Sequence, residues 1–319
     1  MRIEVLSISR GYYNYGCDNA NRAENVNSPA FKSWLYNPKS IIHKTNPVLQ
    51  FIDDFFSRSV VASRRTWHKP IKEIQPHLQV IDIKDKKHPH VRMWDINDAE
   101  KTKYAVVLHG LSHNITSLQD MYKKILTNTE YAVLAPEYHG LTPDNNEDIY
   151  LEPRKILRDI KNSIAYLNQK GIKNEDITLI GHSFGGYAAA KLAKVYPDLE
   201  SVILVSSINT NEYLSRKLQE NRFRHIPKSI KEAYAEHPWL GLPLKFVFNT
   251  SRQLKKVTSP VDIIHANLDK LTDINISIDM AYHCKNLRSL NIIDGYHQMD
   301  ENKMNTIVSI LNSNNDNNK

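Results

Sequence analysis

The stretch Ile177-Thr-Leu-Ile-Gly-His-Ser-Phe-Gly-Gly-Tyr-Ala-Ala-Ala190 decides the fold of this chain. It begins with apolar residues typical of a buried strand, continues with G-x-S-x-G around Ser183, and ends in small residues that favour a helix. A serine in this pattern lies on a tight turn between strand and helix, and the flanking glycines avoid a collision of Cβ atoms with the backbone. The stretch therefore predicts an accessible serine hydroxyl at a helix N-terminus, where the helix dipole favours negative charge.

Strands and helices alternate along most of the remaining chain. Residues 77–83 and 91–96 alternate apolar with polar side chains, as expected for an antiparallel pair. After this pair, strand and helix patterns take turns as far as residue 311, and two of the predicted helices lie at 186–195 and at about 274–283. We predict an α/β fold with a mostly parallel central sheet and helices on both faces. The strands predicted after the pair are 104–108, 131–135, 177–180, 201–205, 261–265 and 290–293.

Composition divides the chain into three parts. Residues 1–73 form an N-terminal extension that we expect to be rich in loops, with one amphipathic helix at 47–63. Residues 74–311 form the main domain, which contains an insert at about 209–256. Five of the eight residues 312–319 are asparagine, and we expect this tail to be disordered.

The chain has 319 residues and contains no run of apolar residues long enough to span a membrane. Glu4 and polar serines interrupt the N-terminus where a cleaved export signal would need an unbroken apolar stretch. Cys17 and Cys284 are the only cysteines and are far apart in sequence, so we expect ordinary thiols in a reduced, cytoplasmic protein. Metal-ligand spacings and nucleotide-binding glycine motifs do not occur, so we expect no cofactor.

The formal net charge is +7, and the insert carries most of the excess. Residues 209–256 contain ten lysines and arginines against four acidic residues. One interpretation is a solvated helical surface, and the other is a basic face for an acidic partner or for anionic membrane headgroups. The sequence shows no aromatic-basic motif typical of nucleic-acid binding. Apolar side chains among these cations suggest a cap over a site: Trp239, Leu240, Leu242, Leu244, Phe246 and Phe248.

A serine hydroxyl is a poor nucleophile unless a base takes its proton and an acid orients that base. Asp269 follows the predicted strand 261–265, where a carboxylate can accept the Nδ1 proton of a histidine. Two neighbours compete with it: Asp262 lies at the start of the strand, and Asp273 could instead cap a helix. His297 follows the last predicted strand in Asp294-Gly-Tyr-His297, and we predict that it is the base.

A tetrahedral oxyanion also needs two N–H donors. We assign them to the backbone of Leu111, in the loop after the strand 104–108, and of Phe184, directly after the serine. We expect His109 to shape this loop through side-chain hydrogen bonds rather than to act as a base. His113 and Asn114 lie farther along the loop, where either substrate contact or simple surface polarity explains them.

These ordered motifs, at 109–110, 134–140, 181–186, 260–269 and 295–297, resemble those of α/β-hydrolase-fold serine hydrolases. The resemblance is to the branch of esterases, lipases and acyl-protein-thioesterase-like enzymes with an inserted cap. It implies the same nucleophile, acid, base and oxyanion loop that we assigned from the residues. The chain departs from the pattern after Tyr138, where a second glycine is common, and at Ala266-Asn267, where a glycine is usual.

The sequence therefore predicts a hydrolase that cleaves an ester or thioester of a small-molecule, lipid or acyl-protein substrate through an acyl-enzyme. Three alternatives stay open at this point. The same groups could transfer the acyl group to an acceptor other than water, or cleave a peptide bond. The chain could also be a catalytically silent binding or adaptor protein with this fold.

Overall fold

The computed structural model describes residues 6–7, 67–85, 88–98, 101–111, 113–138, 141, 153–209 and 248–316. The amphipathic helix predicted at 47–63, Cys17 and insert residues 210–247 lie outside these ranges. The described strands are β1 (Leu6–Ser7), β2 (Leu78–Asp85), β3 (His88–Ile96), β4 (Lys103–Leu108), β5 (Tyr131–Pro136), β6 (Ile177–His182), β7 (Ser201–Val205), β8 (Val261–Ala266) and β9 (Leu287–Ile293).

All nine described strands belong to one sheet, in the order β1-β2-β3-β5-β4-β6-β7-β8-β9. Within this sheet β3 alone runs opposite to its neighbours, and the strands from β5 to β9 are parallel. The predicted antiparallel pair is formed by β2 and β3. The prediction of a mostly parallel α/β sheet is therefore confirmed.

Helices cover both faces of this sheet. They are α1 (Gln119–Asn128), α2 (Pro153–Gln169), α3 (Phe184–Ala193), α4 (Thr250–Leu254), α5 (Ile274–His283) and α6 (Glu301–Asp316), with short 3-10 turns at Gln75–His77, Ile115–Leu118 and Asn174–Asp176. In β4, Val106 faces the core cluster shared with α2 to α5, while Ala105 and Val107 face the cluster shared with α1 and α6. This alternation follows from the two-residue period of a strand between two apolar layers.

The end of the predicted insert belongs to the main domain. Phe248 and Leu254 are buried in the core cluster beside α3 and α5, and Leu254 is the last residue of α4. Phe248, counted among the apolar residues of a cap, is therefore a core residue. The residues around Phe248 resemble the insert in composition, so composition alone placed the end of the insert, at about residue 256, too far along the chain.

The predicted disordered tail is wrong for residues 312–316, because α6 continues to Asp316. Asn314 is buried in this last turn, and its amide donates to Tyr131 Oη at 3.3 Å and to Ser201 Oγ at 3.1 Å. Its Oδ1 accepts a hydrogen bond from Arg288. An asparagine-rich sequence suggests solvation, but these long-range partners hold the helix against the sheet.

The last residues of the predicted N-terminal extension are attached to the main domain. The indole of Trp67 donates to the carbonyl of Leu141 at 3.1 Å, and the backbone N–H of Ile71 donates to Gln119 Oε1 at 2.7 Å. Trp67 and Ile71 also pack against the core cluster beside α1. Among the described helices, none combines the length and apolar character needed to cross a membrane.

Candidate active site

The three side chains predicted to form the site follow three parallel strands at one edge of the sheet. Ser183 comes directly after β6, Asp269 lies just beyond β8, and His297 lies just beyond β9. The carboxyl ends of parallel strands meet at the same edge, which is where open α/β sheets form their sites. The strand order therefore brings together residues that are far apart in sequence.

Ser183 occupies a strained backbone conformation. Its φ of 54° and ψ of −115° lie in a region that non-glycine residues rarely adopt, and such strain persists only where the surroundings hold it. Its N–H donates to Val205 at 2.9 Å, and its carbonyl accepts from Gly186 at 3.1 Å. A Cβ added to Gly185 would lie 2.6 Å from the carbonyl carbon of Leu108, so α3 can begin here only with glycine at that position.

His297 forms hydrogen bonds to both other side chains. Its Nδ1 lies 2.8 Å from Asp269 Oδ2, and its Nε2 lies 3.1 Å from Ser183 Oγ. A carboxylate can only accept, so Nδ1 carries the proton and Nε2 is left to accept the proton of the serine hydroxyl. This is the tautomer that a general base for Ser183 requires.

Asp269 is buried and held by the turn that it begins. Its Oδ1 accepts from the backbone N–H groups of Leu271 and Thr272, both at 2.8 Å, and its Oδ2 accepts from Thr272 Oγ1 at 2.7 Å. Burial raises the pKa of the carboxyl, but the hydrogen bonds from His297 and Thr272 outweigh it and lower the pKa well below its usual value. The carboxylate therefore stays ionised beside His297.

The two competing carboxylates have other partners. Asp262, at the second position of β8, accepts from Arg288 Nε at 3.0 Å and from Ser289 Oγ at 2.7 Å. Asp273 caps α5 by accepting from the N–H of Asn275 at 3.0 Å. Of the three candidates, the structure brings Asp269 to His297.

Of the two predicted oxyanion donors, Phe184 directly follows Ser183, and Leu111 lies in the loop after β4. Phe184 is the first residue of α3, where backbone N–H groups have no partner within the helix. Leu111 follows Gly110, and a Cβ on Gly110 would lie 3.3 Å from the Cβ of Ser183. The loop after β4 therefore runs beside the serine, as an oxyanion loop must.

His109 lies beneath this loop and is fully enclosed. Its Nε2 is 2.8 Å from Glu137 Oε1, its Nδ1 is 2.8 Å from the carbonyl of Gly110, and its ring stacks on Tyr138. Glu137 also accepts the N–H of Ile115 at 3.0 Å through its other oxygen. Both ring nitrogens of His109 are engaged in hydrogen bonds, so His109 shapes the loop.

Asn114 and His113 differ in their roles. Asn114 is buried and caps the 3-10 turn by accepting from the N–H of Thr116, which leaves it turned away from the surface. His113 is partly buried, and its ring lies 5.6 Å from that of His182. Burial, and the nearby His109 and His297, lower the pKa of His113 to about 4, so its imidazole is neutral at pH 7.

Sequence reasoning missed several residues that support the site. His182 precedes the serine; its buried Nε2 donates to the backbone carbonyl of His297 at 2.9 Å, and burial lowers its pKa to about 3. Thr272 could have been suspected, since an aspartate in a turn often bonds to the backbone of residues that follow it closely. Glu137 gave no comparable signal, because its partners His109 and Ile115 lie more than twenty residues away in sequence. Within the described ranges, no three histidine, cysteine or acidic side chains are grouped to hold a metal ion.

One family model and several solved structures are similar to this chain. The Hydrolase_4 family model, described as serine aminopeptidase, S33, matches residues 99–241. An esterase from Pyrococcus furiosus is 17% identical, with a TM-score of 0.56 over 75% of this chain and 92% of its own. An acetyl xylan esterase from a Thermoanaerobacterium species is 12% identical, with a TM-score of 0.59 over 85% and 95%. A lipase-esterase related protein from Clostridium acetobutylicum is 18% identical, with a TM-score of 0.51 over 70% and 98%.

Comparison with curated proteins gave no match. At these identities the solved structures establish the fold. The chain has the α/β-hydrolase fold, and its resemblance to α/β-hydrolase-fold serine hydrolases is confirmed. The similar solved structures named above are esterases or related to lipases.

Proposed function

We propose that this protein is a serine hydrolase that cleaves carboxylic esters or thioesters, with Ser183 as nucleophile, His297 as general base and Asp269 as the acid that orients the base. The observation that carries the proposal is the unbroken hydrogen-bonded chain from Asp269 through His297 to Ser183 on a strained turn. These are the groups, in the order, that acyl transfer to a serine requires.

In the proposed reaction Ser183 Oγ attacks the carbonyl carbon of the substrate while its proton passes to His297 Nε2. The oxyanion that forms is stabilised by the backbone N–H groups of Leu111 and Phe184, at the N-terminus of α3. When the intermediate collapses, His297 returns the proton to the leaving alcohol or thiol and an acyl-enzyme remains. Water then attacks the acyl group, with His297 as base, and Ser183 is regenerated.

Asp269 supports these steps without taking a proton. Its hydrogen bond keeps the Nδ1 proton of His297 in place, and its negative charge stabilises the imidazolium that forms during each transfer. The lowered pKa of the carboxyl suits this role, because the group stays ionised throughout the neutral range. The Asp269 carboxylate is therefore bound more strongly to the imidazolium of the transition state than to the neutral His297 of the resting enzyme, and an interaction of this kind accelerates the reaction.

Cleavage of an amide is the second candidate. The matching family model is described as serine aminopeptidase, whereas the similar solved structures named above are esterases or related to lipases. The same proton transfers serve either bond, so the residues themselves favour neither. An ester or thioester is the first choice because of the structural relatives, and acyl transfer to another acceptor shares the same acyl-enzyme.

The first experiment tests the nucleophile. We expect a fluorophosphonate probe to label the wild-type chain and to leave Ser183→Ala unlabelled. Ser206→Ala is the matched control, because Ser206 directly follows the neighbouring strand β7 with a similar positive φ of 45° and has a buried hydroxyl. Labelling of Ser183→Ala at the wild-type rate would refute the assignment, and an unlabelled wild type would favour a silent binding protein.

The second experiment identifies the bond and the chain length. Wild type and Ser183→Ala are assayed on p-nitrophenyl esters, acyl-thioesters of increasing length and aminoacyl p-nitroanilides. We expect Ser183-dependent hydrolysis of the first two classes, and anilide hydrolysis alone would favour the peptidase.

We also propose that the basic insert 209–256 contacts anionic headgroups. This predicts that the protein sediments with phosphatidylglycerol vesicles but not with phosphatidylcholine vesicles.

A further inference from the structure

The loop that carries His297 is anchored by its backbone carbonyls. We call residues 294–300, between β9 and α6, the base loop. Three successive carbonyls in it accept hydrogen bonds from side chains that lie outside the loop. Lys303 Nζ donates to Tyr296 at 2.5 Å and to Gln298 at 2.8 Å, and His182 Nε2 donates to His297 at 2.9 Å.

From this arrangement we infer that Lys303 is a positioning residue for the reaction proposed above, on which the inference rests. Lys303 lies in the first turn of α6, and its side chain is 0% exposed. An ammonium group has three N–H donors, and the third is used on Asp300 Oδ2 at 2.8 Å. A side chain of this length reaches full burial only when its charge and its donors are all satisfied, as they are here.

Asp300 ties this ammonium to the other end of the loop. Its Oδ1 accepts the backbone N–H of Lys303 at 3.0 Å, which caps the start of α6. Its Oδ2 occupies the place where a Cβ on Gly295 would stand, and Gly295 has a φ of 149°. The loop is therefore closed tightly around Lys303 Nζ.

The opposite side of the base loop is bound to the loop that carries the acid. The N–H of Leu268 donates to the carbonyl of Gly295 at 3.1 Å, and Asn267 Nδ2 donates to Asp294 Oδ1 at 2.6 Å. These contacts hold the beginning of the base loop near Asp269. The carbonyls on both sides of His297, however, depend on Lys303 alone among the described contacts.

Positioning matters because His297 must reach two partners at once, at 2.8 Å and 3.1 Å. A displacement of about 1 Å in such a group costs about 100-fold in rate. Replacing Lys303 by methionine removes the ammonium but keeps a side chain that can fill the space. It leaves the carbonyls of Tyr296 and Gln298 without the ammonium donor. Because these two carbonyls flank the base, we expect the loop to move toward other partners.

The experiment compares Lys303→Met with Lys101→Met in the full chain. Lys101 is a matched control, because its ammonium also donates to two backbone carbonyls, of Leu126 and Thr129, at the opposite edge of the sheet. Both variants are measured for kcat and KM on the ester that the wild type cleaves best, for the rate of fluorophosphonate labelling, and for the urea midpoint of unfolding.

We expect Lys303→Met to lose about 100-fold in kcat and in labelling rate, with a KM close to that of the wild type. Lys101→Met should lose stability but keep kcat. A folded Lys303→Met with wild-type kcat overturns the inference. If Lys303→Met does not fold, Lys303→Gln, which keeps two N–H donors, is measured instead, and an intermediate kcat supports the inference.

Three outcomes separate this inference from the proposed function. If neither Lys303 variant folds while Lys101→Met does, Lys303 acts on stability alone and the inference is wrong. A wild type that hydrolyses nothing and takes up no probe refutes the proposed function and the inference together. An active wild type with an equally active Lys303→Met refutes the inference only.

Discussion

A buried histidine, His182, and a partly buried one, His113, lie beside the candidate site and predict a loss of stability at mildly acidic pH. Burial first, and then the neighbouring histidines, lower the pKa of His182 to about 3 and of His113 to about 4, from 6.5 in an unfolded chain. Between these values the unfolded chain binds protons that the folded chain does not. The stabilisation is therefore complete above pH 6.5 and is lost as the pH falls toward 4.

The magnitude follows from this difference in proton binding. Each histidine changes the free energy of unfolding by up to about 1.4 kcal/mol per pH unit, so lowering the pH from 7 to 5 costs about 2 kcal/mol per group. His265, buried behind Asp269, has a lowered pKa and acts in the same direction. Asp269 adds little in this window, because its pKa is already lowered from 3.8 and its stabilisation is lost only in stronger acid.

The assay is urea unfolding at pH 7, 6 and 5. His182→Gln is the informative variant, because its amide keeps an N–H donor for the carbonyl of His297 and has no proton to bind. We expect the variant to lose about 2 kcal/mol less than the wild type between pH 7 and pH 5. His68→Gln replaces an exposed histidine and should follow the wild-type curve. Equal pH slopes for His182→Gln and the wild type would refute the argument.

Two more predictions concern the turn and the acid. Asp269→Asn should fold normally yet lose about 10,000-fold in kcat, because an amide at this position stabilises the wrong tautomer of His297; steady-state ester hydrolysis measures it, and a loss under tenfold contradicts the role. Gly185→Ala should lower the free energy of unfolding by about 3 kcal/mol, since the new Cβ would lie 2.6 Å from the carbonyl carbon of Leu108 and 2.8 Å from the carbonyl oxygen of His109. Urea unfolding at pH 7 tests this, and unchanged stability would show that the turn can relax.

Periodicity predicted the order of the elements but not where some of them end. The helix at 274–283 has the predicted bounds, because Asp273 caps its start with a local hydrogen bond. The predicted strand 177–180 and the predicted helix 186–195 are separated by residues 181–185. In the structure β6 ends at His182 and α3 begins at Phe184, so Ser183 alone separates them. The strained turn at Ser183 needs only one residue, which a hydropathy pattern cannot reveal. The end of α6 depends on Asn314 and partners far away in sequence.

In the candidate site, too, some residues could be predicted from the local sequence, whereas others depend on contacts that are remote in sequence. Ser183, Asp269 and His297 were found because each sits beside a strand pattern within a short motif. Thr272 and Asp273 lie three and four residues after Asp269, where Thr272 donates a hydrogen bond to Asp269 and Asp273 caps α5. His182 and Lys303 were missed because their hydrogen bonds go to backbone carbonyls, which every residue has and no pattern of side chains marks.

The same division predicts which member of the site is most easily disturbed from a distance. Ser183 is held by its own turn, and Asp269 is held by N–H groups of the turn that it begins. His297 depends instead on two side chains that reach its loop from outside, one of them from the first turn of α6. Because α6 is fixed at its far end by Asn314, substitutions that loosen this helix should shift the base before they shift the nucleophile or the acid. They should therefore lower kcat while KM and the conformation of the Ser183 turn are preserved.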